Sequence, residues 1–316
     1  MTKRKIILDC DPGHDDAVAI LLASSYEEID LCALTIESGN QTLEKTSRNA
    51  LNLVQYLSLD VPVAKGEAKP MVRDAQICPE IHGESGLDGY EFPPLYKKCV
   101  KQDAVTLLKE MLTKDEYTIV ATGPLTNIGV LLKKYPEVKN NITEIVLMGG
   151  SIGFGNVTPA AEFNIFCDPE AADIVFTSGI KVTMIGLDVT RKILITNKIN
   201  EEIKNINNKV SALFYPLMKV FIENQKKVFG FDGAPLHDPA TIVYLVKPEI
   251  FKTEFMNVTI DVSKGPSYGR TNCDQFDYLK LKKNAFVALD VDVDAYFEEI
   301  KNCIKKVSVN KSHIDF

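Results

Sequence analysis

Ile6-Ile-Leu-Asp-Cys-Asp-Pro-Gly-His-Asp-Asp-Ala17 is the stretch of sequence that decides the fold. It joins a short apolar run typical of a strand, Lys5–Leu8, to an apolar helical pattern, Ala17–Ala23. The Pro12-Gly13 pair predicts a turn between the two. We therefore expect the strand–turn–helix unit that opens many α/β folds. Half of the eight residues around this turn are carboxylates: Asp9, Asp11, Asp15 and Asp16.

These four carboxylates repel one another unless a cation or hydrogen-bond donors neutralise them. The N-terminus of a helix compensates part of this charge through its free N–H groups, but it cannot hold four carboxylates. The residues therefore favour a hard divalent metal ion with oxygen ligands. The alternative is that Asp15 or Asp16 only caps the helix and that the turn is solvated. The position of the turn argues against this, because open α/β sheets bind ligands at the carboxyl ends of their strands.

Composition excludes several classes of function. The chain has 316 residues, of which 45% are hydrophobic and 25% charged, and no apolar run is long enough to span a membrane. The net charge of −7 argues against a nucleic acid polymer or an anionic membrane as a partner. The seven cysteines are scattered singly, and only three apolar residues separate the basic start from Asp9, too few for a signal peptide. We expect a cytoplasmic protein.

Strand-like runs alternate with helical patterns along the chain. The predicted strands are Lys5–Asp9, Leu31–Ile36, Tyr117–Ala121, Glu144–Met148, Lys181–Leu187, Met256–Val262 and Phe286–Val291. The predicted helices are Leu43–Leu57, Asp103–Leu112, Asn127–Lys134, Pro169–Thr177, Asn200–Lys227, Pro239–Leu245 and Val293–Val307. This alternation predicts an open, mostly parallel twisted sheet with helices on both faces, a doubly wound-like α/β fold. We expect a single domain over residues 1–316, with active-site loops near 72–96 and 223–238.

Polar residues follow several predicted strands. The segments that carry them are Ser38–Asn40, Thr122–Asn127, Gly149-Gly150, Gly155–Asn164 and His237–Pro239. Neutral amides offer a donor and an acceptor to a pair of hydroxyls, so their convergence would suit a sugar. Considered alone, Asn127 is better explained as the residue that starts a helix than as a ligand-binding residue, and Gly149-Gly150 as a tight turn. Glu162 and Asn164 lie two apart in an extended-looking segment, which predicts that both side chains face the same side.

Other chemistries lack their motifs. The sequence has no G-x-S-x-G elbow, no P-loop and no dinucleotide-binding G-x-G-x-x-G after the first strand. It has neither H-E-x-x-H nor a Cys/His cluster suited to zinc. Carboxylates, a hard metal ion and amides remain, and these can activate water against a sugar derivative or an ester.

The combination of motifs resembles the inosine–uridine-type nucleoside hydrolase family along nearly the whole chain. The motifs that carry this resemblance are Asp9–Asp16, Gly39-Asn40, Thr122–Asn127, Asn156 with Glu162–Phe166, and His237-Asp238. The resemblance implies an open α/β sheet, a homo-oligomer (dimer or tetramer), and hydrolysis of the N-glycosidic bond of a small-molecule ribonucleoside by a calcium-activated water.

The resemblance also implies a role for each matching residue. The ligands of one calcium ion would be Asp11, Asp16, Asp238 and the backbone carbonyl of Thr122. Catalysis would use Asp11, which accepts the proton of the attacking water, and an imidazole of near-neutral pKa, His237, beside the leaving base. The ribose would be contacted by Asp15, Asn40, Met148, Asn156, Glu162 and Asn164. The base would be surrounded by His82, Phe163, Gln225 and His237.

The segments Ile81–Gly89 and around Gln225 are similar to the pyrimidine-preferring branch of the family, so uridine and cytidine are the expected substrates. The chain departs from that branch at Phe229, where a tyrosine hydroxyl is expected. The alternatives are a purine or broad-specificity hydrolase and a hydrolase of another N-riboside such as nicotinamide riboside. A non-catalytic nucleoside-binding protein is a further alternative. His14 is interpreted as structural or solvent-facing, and His313 as part of a polar tail without a role in the site.

Overall fold

Strand β1 (Arg4–Cys10) lies inside a nine-stranded sheet in the computed structural model, which describes residues 3–309. His313 and the first two residues lie outside the described residues. The other strands are β2 (Ile29–Ile36), β3 (Val63–Lys65), β4 (Tyr117–Ala121), β5 (Ile142–Met148), β6 (Val182–Ile185), β7 (Leu194–Ile195), β8 (Ala234–Pro235), β9 (Phe251–Ile260), β10 (Thr271–Asp274) and β11 (Ala285–Val291).

The helices cover both faces of the sheet. They are α1 (His14–Ala23), α2 (Leu43–Tyr56), α3 (Pro79–His82), α4 (Ala104–Leu112), α5 (Thr126–Lys134), α6 (Phe163–Cys167), α7 (Pro169–Thr177), α8 (Leu187–Thr190), α9 (Asn197–Lys204), α10 (Lys209–Phe229), α11 (Pro239–Val246) and α12 (Val293–Val309), with 3₁₀ turns at Pro136–Asn141 and Pro248–Ile250. Alternate residues of β1 face opposite cores: Ile6 and Leu8 pack into one, Ile7 into the other. A strand buried on both faces reads as a continuous apolar run, which is the pattern of β1.

The order of strands in the sheet is β10-β9-β11-β6-β5-β4-β1-β2-β3, and the seven strands from β11 to β3 run parallel. From β1 the chain proceeds to β2 and β3 on one side and then returns to β4 on the other. The switch point of this topology lies between β1 and β4, where doubly wound folds bind their ligands. The predicted fold class is confirmed.

Several predicted boundaries are wrong. The predicted helix Asn200–Lys227 is two helices, because Asn208 starts α10 by accepting the Ser211 N–H at 2.8 Å. The predicted strand Lys181–Leu187 ends at Ile185, and Leu187 begins α8. Helix α10 runs to Phe229, so the first part of the expected loop at 223–238 is helical.

Strand β9 begins five residues before the predicted Met256; in its first half only Phe251 is buried, so this part of the antiparallel strand forms no continuous apolar run. No hydrophobic pattern in the sequence predicted the short strands β3 and β10 or the short helix α3 inside the expected loop at 72–96. Within the described residues, no helix combines the length and apolar character needed to cross a membrane.

Candidate active site

The acidic turn lies at the switch point of the sheet. Asp11 follows β1 directly, and Thr122 follows the neighbouring β4. Helix α1 begins at His14, three residues earlier than the apolar pattern suggested. Asp16 is its third residue and accepts the Gly13 N–H at 2.9 Å, so it does take part in capping. Capping uses only one of its oxygens, however, and leaves the other carboxylates unexplained.

Asp238 completes a group of carboxylates that are far apart in the chain. It lies just before α11, yet oxygens of Asp15, Asp16 and Asp238 all lie within 4.8 Å of one another. Asp11 is fully buried beside them, and one of its oxygens, Oδ1, has no hydrogen-bond partner. We call Asp11, Asp15, Asp16 and Asp238 the acidic cluster. The sequence-based hypothesis required Asp238 to lie next to the turn, and it does.

Two polar residues hold the acidic cluster in place. The backbone N–H of Asn40 donates to Asp11 Oδ2 at 2.6 Å, and its side-chain Nδ2 donates to Asp16 Oδ2 at 3.0 Å. The Thr122 hydroxyl donates to Asp16 Oδ1 at 2.7 Å. Asn40 thus orients carboxylates as well as lining the cleft above them.

Burial makes the acidic cluster electrostatically unfavourable without a cation. Removal from water, and to a smaller extent the charge of Asp16, raise the pKa of Asp15 to about 7. Burial and then neighbouring carboxylates hold the pKa values of Asp11 and Asp238 well above the ordinary range. The cluster offers only oxygen ligands, one of them buried without a partner, and its carboxylates repel one another. A hard divalent cation binds such oxygens and neutralises their charge. The residues present therefore fit a metal site.

The start of α6 presents the residues expected at the ribose. Glu162 is the N-cap of this helix and accepts the N–H groups of Asn164 and Gly150, each at 2.9 Å. The two side chains therefore do not lie on one face of an extended segment, as the spacing suggested. Asn164 Nδ2 instead donates to the Thr122 carbonyl at 2.8 Å and ties α6 to the acidic cluster. Asn156 Oδ1 accepts the Phe163 N–H at 2.9 Å.

A second part of the cleft wall carries imidazole and aromatic rings. We call His82, Phe221, Phe229, Phe231 and His237 the aromatic end. Burial lowers the pKa of His237 to about 3 and that of His82 well below its ordinary value. Both imidazoles are uncharged at neutral pH, which differs from the expectation that His237 has a near-neutral pKa. His237 Nδ1 lies 2.7 Å from the Thr190 hydroxyl.

A cleft of about 850 Å³, counted with its open mouth, joins the two ends. The expected site residues that line it are Asp15, Asn40, His82, Thr122, Met148, Asn156, Glu162, Phe163, Asn164, Gln225, His237 and Asp238. Asp11 and Asp16 are fully buried and do not line it.

Sequence reasoning missed several residues of the cleft wall. Leu187 begins α8, shortly after β6, and Arg191 follows this helix. The search for polar residues after predicted strands would have found Arg191 if it had been applied to β6. Phe221 lies one helical turn before Gln225 on α10, but an apolar residue in an amphipathic helix gives no signal of its own. His14 is fully buried, so it is not solvent-facing.

Comparisons with known proteins agree with this geometry. Residues 6–298 match the family model described as inosine-uridine preferring nucleoside hydrolase. The chain is 43% identical over 307 residues to the pyrimidine-specific ribonucleoside hydrolase RihB of Escherichia coli (strain K12 / DH10B), covering 96% of this chain and 98% of the relative.

Solved structures give the same result. The purine-preferring ribonucleoside hydrolase from Gardnerella vaginalis superposes with a TM-score of 0.91 at 36% identity, and the plant nucleoside hydrolase PpNRh1 with 0.90 at 31%. Each superposition covers 96% of this chain and 99% of the other chain. Fold and site define an N-glycosyl hydrolase. The chain belongs to the inosine–uridine preferring nucleoside hydrolase family.

Proposed function

We propose that this enzyme hydrolyses the N-glycosidic bond of ribonucleosides, with a preference for uridine and cytidine, and releases the free base and ribose. The observation that carries the proposal is the convergence of Asp238 with Asp15 and Asp16 beside Asp11, below a cleft of nucleoside size. Acids that lie far apart in the chain meet where doubly wound folds bind ligands.

The residues that would hold one Ca²⁺ ion are Asp11, Asp16, Asp238 and the carbonyl of Thr122. The ion would supply Lewis acidity, which lowers the pKa of water and orients ribose hydroxyls. Oxygens of Asp15, Asp16 and Asp238 lie within 4.8 Å of one another, which supports a role for Asp15 beside the ion as well. Calcium is favoured over magnesium because acidic side chains and a carbonyl suit its larger, more flexible coordination shell.

The protein side chains would divide the remaining work. Asp11 accepts the proton of the attacking water, a role that its unpartnered Oδ1 leaves open. Asp15 and Asn164 hold the 2′- and 3′-hydroxyls, with Asn40 nearby and Met148 packed under the sugar. Asn156 and Glu162 hold the 5′-hydroxyl. The transition state of glycosidic cleavage is oxocarbenium-like, so clustered anions lower its free energy.

Base preference rests on similarity and on one side chain. The relative at 43% identity is named pyrimidine-specific, whereas the solved relative at 36% is named purine-preferring. The amide oxygen of Gln225 is buried at the cleft without a hydrogen-bond partner, so an amide or imide edge of a base would satisfy it. A purine preference remains the alternative function, and a further N-riboside such as nicotinamide riboside a more distant one.

We also propose that residues 1–316 act as one cytoplasmic domain in a homodimer or homotetramer. All seven cysteines are free, as expected in a reducing compartment. Phe276, Tyr278 and Leu279 form an exposed apolar segment that assembly would cover.

A reducing-sugar assay over a panel of nucleosides tests the proposal. We expect ribose release from uridine and cytidine, slower release from inosine and adenosine, and a loss of about 10²-fold or more for deoxyuridine, which lacks one hydroxyl contact. Prolonged chelation should abolish activity, and Ca²⁺ should restore it. Full activity on deoxyuridine, or restoration by Mg²⁺ alone, would contradict the proposed site.

A further inference from the structure

His14 is fully buried beneath the aromatic end, and the proposed function gives it no role. Its ring lies parallel to that of Phe221, with an interplanar angle of 3° and centroids 5.2 Å apart. The ring of His82 stacks on Phe221 at 5.4 Å. Three flat side chains thus form one packed unit, of which Phe221 and His82 line the cleft.

Hydrogen-bond directions define where the protons of this unit lie. His14 Nε2 is 2.7 Å from the backbone carbonyl of Asp88, and a carbonyl only accepts, so this nitrogen carries a proton. The backbone N–H of His14 donates to His82 Nδ1 at 3.2 Å. His82 Nδ1 is therefore an acceptor without a proton, and the proton of the neutral imidazole is on Nε2.

The backbone N–H of His14 bears against the opposite tautomer. The two Nδ1 atoms are 3.3 Å apart, so a proton on His82 Nδ1 could in principle point at His14 Nδ1. That proton would also meet the backbone N–H of His14, which is always protonated. The approach is close because Gly13 has no side chain: a Cβ there would lie 2.5 Å from His82 Nδ1.

The Nε2–H group of His82 is available to a ligand in the cleft. Among the described residues it has no hydrogen-bond acceptor, and His82 lines the cleft. We propose that the backbone N–H of His14 holds His82 as a neutral Nε2–H donor to the leaving base, and that the His14 side chain is a positioning group, because its bond to the Asp88 carbonyl fixes the ring that stacks on His82 and Phe221. This inference rests on the proposed function and adds the way in which the base departs.

Cleavage of the C1′–N bond requires no proton from His82. The water oxygen forms a bond to C1′, and the proton of that water goes to Asp11. The C1′–N bond breaks, and its electron pair leaves with the base, whose negative charge spreads onto the ring carbonyl. The His82 N–H donates a hydrogen bond to that anion and keeps its proton, and solvent later protonates the base.

Nitrogen NMR of ¹⁵N-histidine-labelled protein tests the tautomer directly. The chain has only four histidines, and the His82→Gln variant identifies the His82 signals by their loss. We expect a protonated Nε2 and an unprotonated, hydrogen-bonded Nδ1 in the wild-type enzyme. A protonated Nδ1 would overturn the proposal.

Kinetics test the positioning role of His14. His14→Phe keeps a flat ring in the stack but loses the donor to Asp88, whereas His14→Gln keeps an amide donor. We expect His14→Phe to lower kcat for uridine by about 30-fold, within the range of general acid–base and electrostatic effects. The same variant should change kcat for p-nitrophenyl riboside by less than about 3-fold, because p-nitrophenolate leaves without a hydrogen-bond donor. His14→Gln should recover part of the loss on uridine.

Equal losses on both substrates would show that His14 only supports the fold, and would overturn the inference. Failure of the proposed function would give a different result, because the wild-type enzyme would then release ribose from neither uridine nor p-nitrophenyl riboside.

Discussion

The two ends of the cleft are held by different parts of the fold. The acidic cluster is fixed by the sheet, since Asp11 follows β1, and Thr122, which donates to Asp16, follows the adjacent β4. The aromatic end is assembled from α3, the end of α10 and the segment around β8, none of which belongs to the nine-stranded sheet.

This difference separates two tasks. A sheet with strands buried on both faces holds atoms rigidly, which suits an ion site and attack on C1′. Helix ends and connecting segments vary without disturbing the core, which suits recognition of different bases. The relatives agree, because one named pyrimidine-specific and one named purine-preferring are both similar to this chain over 96% of its length.

Replacement of Asp11 should have the largest effect. Asp11→Ala removes the proposed proton acceptor and should lower kcat by about 10³-fold. The loss should be the same for uridine and p-nitrophenyl riboside, because the water attacks C1′ whatever the leaving group. Steady-state kinetics on both substrates measure it, and binding of uridine should persist.

Glu116→Ala is the matched control, since Glu116 is exposed and precedes β4 at the end opposite Thr122. It should leave kcat unchanged. A loss for Asp11→Ala on uridine alone would break the separation of the two ends, because it would place Asp11 in departure of the base.

The acidic cluster could be predicted from sequence because its chemistry follows from local rules. Four carboxylates on a turn between Leu8 and Ala17 are more than helix capping explains, and the carboxyl end of a parallel strand is where ligands bind. His237-Asp238 was noted as a polar segment after a strand, its role as a metal ligand came from the family resemblance, and the structure brings Asp238 to the turn. Helix α6 was missed because a five-residue helix shows too little periodicity.

The aromatic end could not be predicted to the same depth. The contact between His14 and Asp88 spans 74 residues, and no local pattern indicates a pairing at that separation. The low pKa values of His82 and His237 arise from burial, which depends on packing that the sequence does not reveal. The expected near-neutral imidazole was derived from the ordinary value for histidine.

The stability of the folded enzyme should depend on pH when the acidic cluster holds no cation. Without a cation, the pKa of Asp15 in the folded state is raised to about 7, above its value in the unfolded chain of about 4. The folded state then binds more protons between these two values, so stability should fall as pH rises from about 4 to about 7. Chelated enzyme should therefore melt at a lower temperature at pH 8 than at pH 5, by about 5 °C.

Saturating Ca²⁺ should remove this dependence, because the ion binds the ionised carboxylates and stabilises the folded state. Differential scanning calorimetry measures the melting temperature at both pH values, once with chelator and once with Ca²⁺. A chelated enzyme whose melting temperature rises between pH 5 and pH 8 would show that the acidic cluster is neutralised by protein groups instead.

The smallest effect is expected at the aromatic end, from Phe229→Tyr. Phe229 ends α10, is 43% exposed, stacks on Phe231 at 5.5 Å and lines the cleft. A hydroxyl there adds one hydrogen-bond donor near the base, worth about 1 kcal/mol, so kcat/KM for uridine should rise about 5-fold. The value for p-nitrophenyl riboside should stay constant, and so should the melting temperature, because a half-exposed ring can accept a hydroxyl without loss of packing. An equal gain on both substrates would mean that position 229 acts on the ribose or on closure of the cleft, and the two ends would then not be separable.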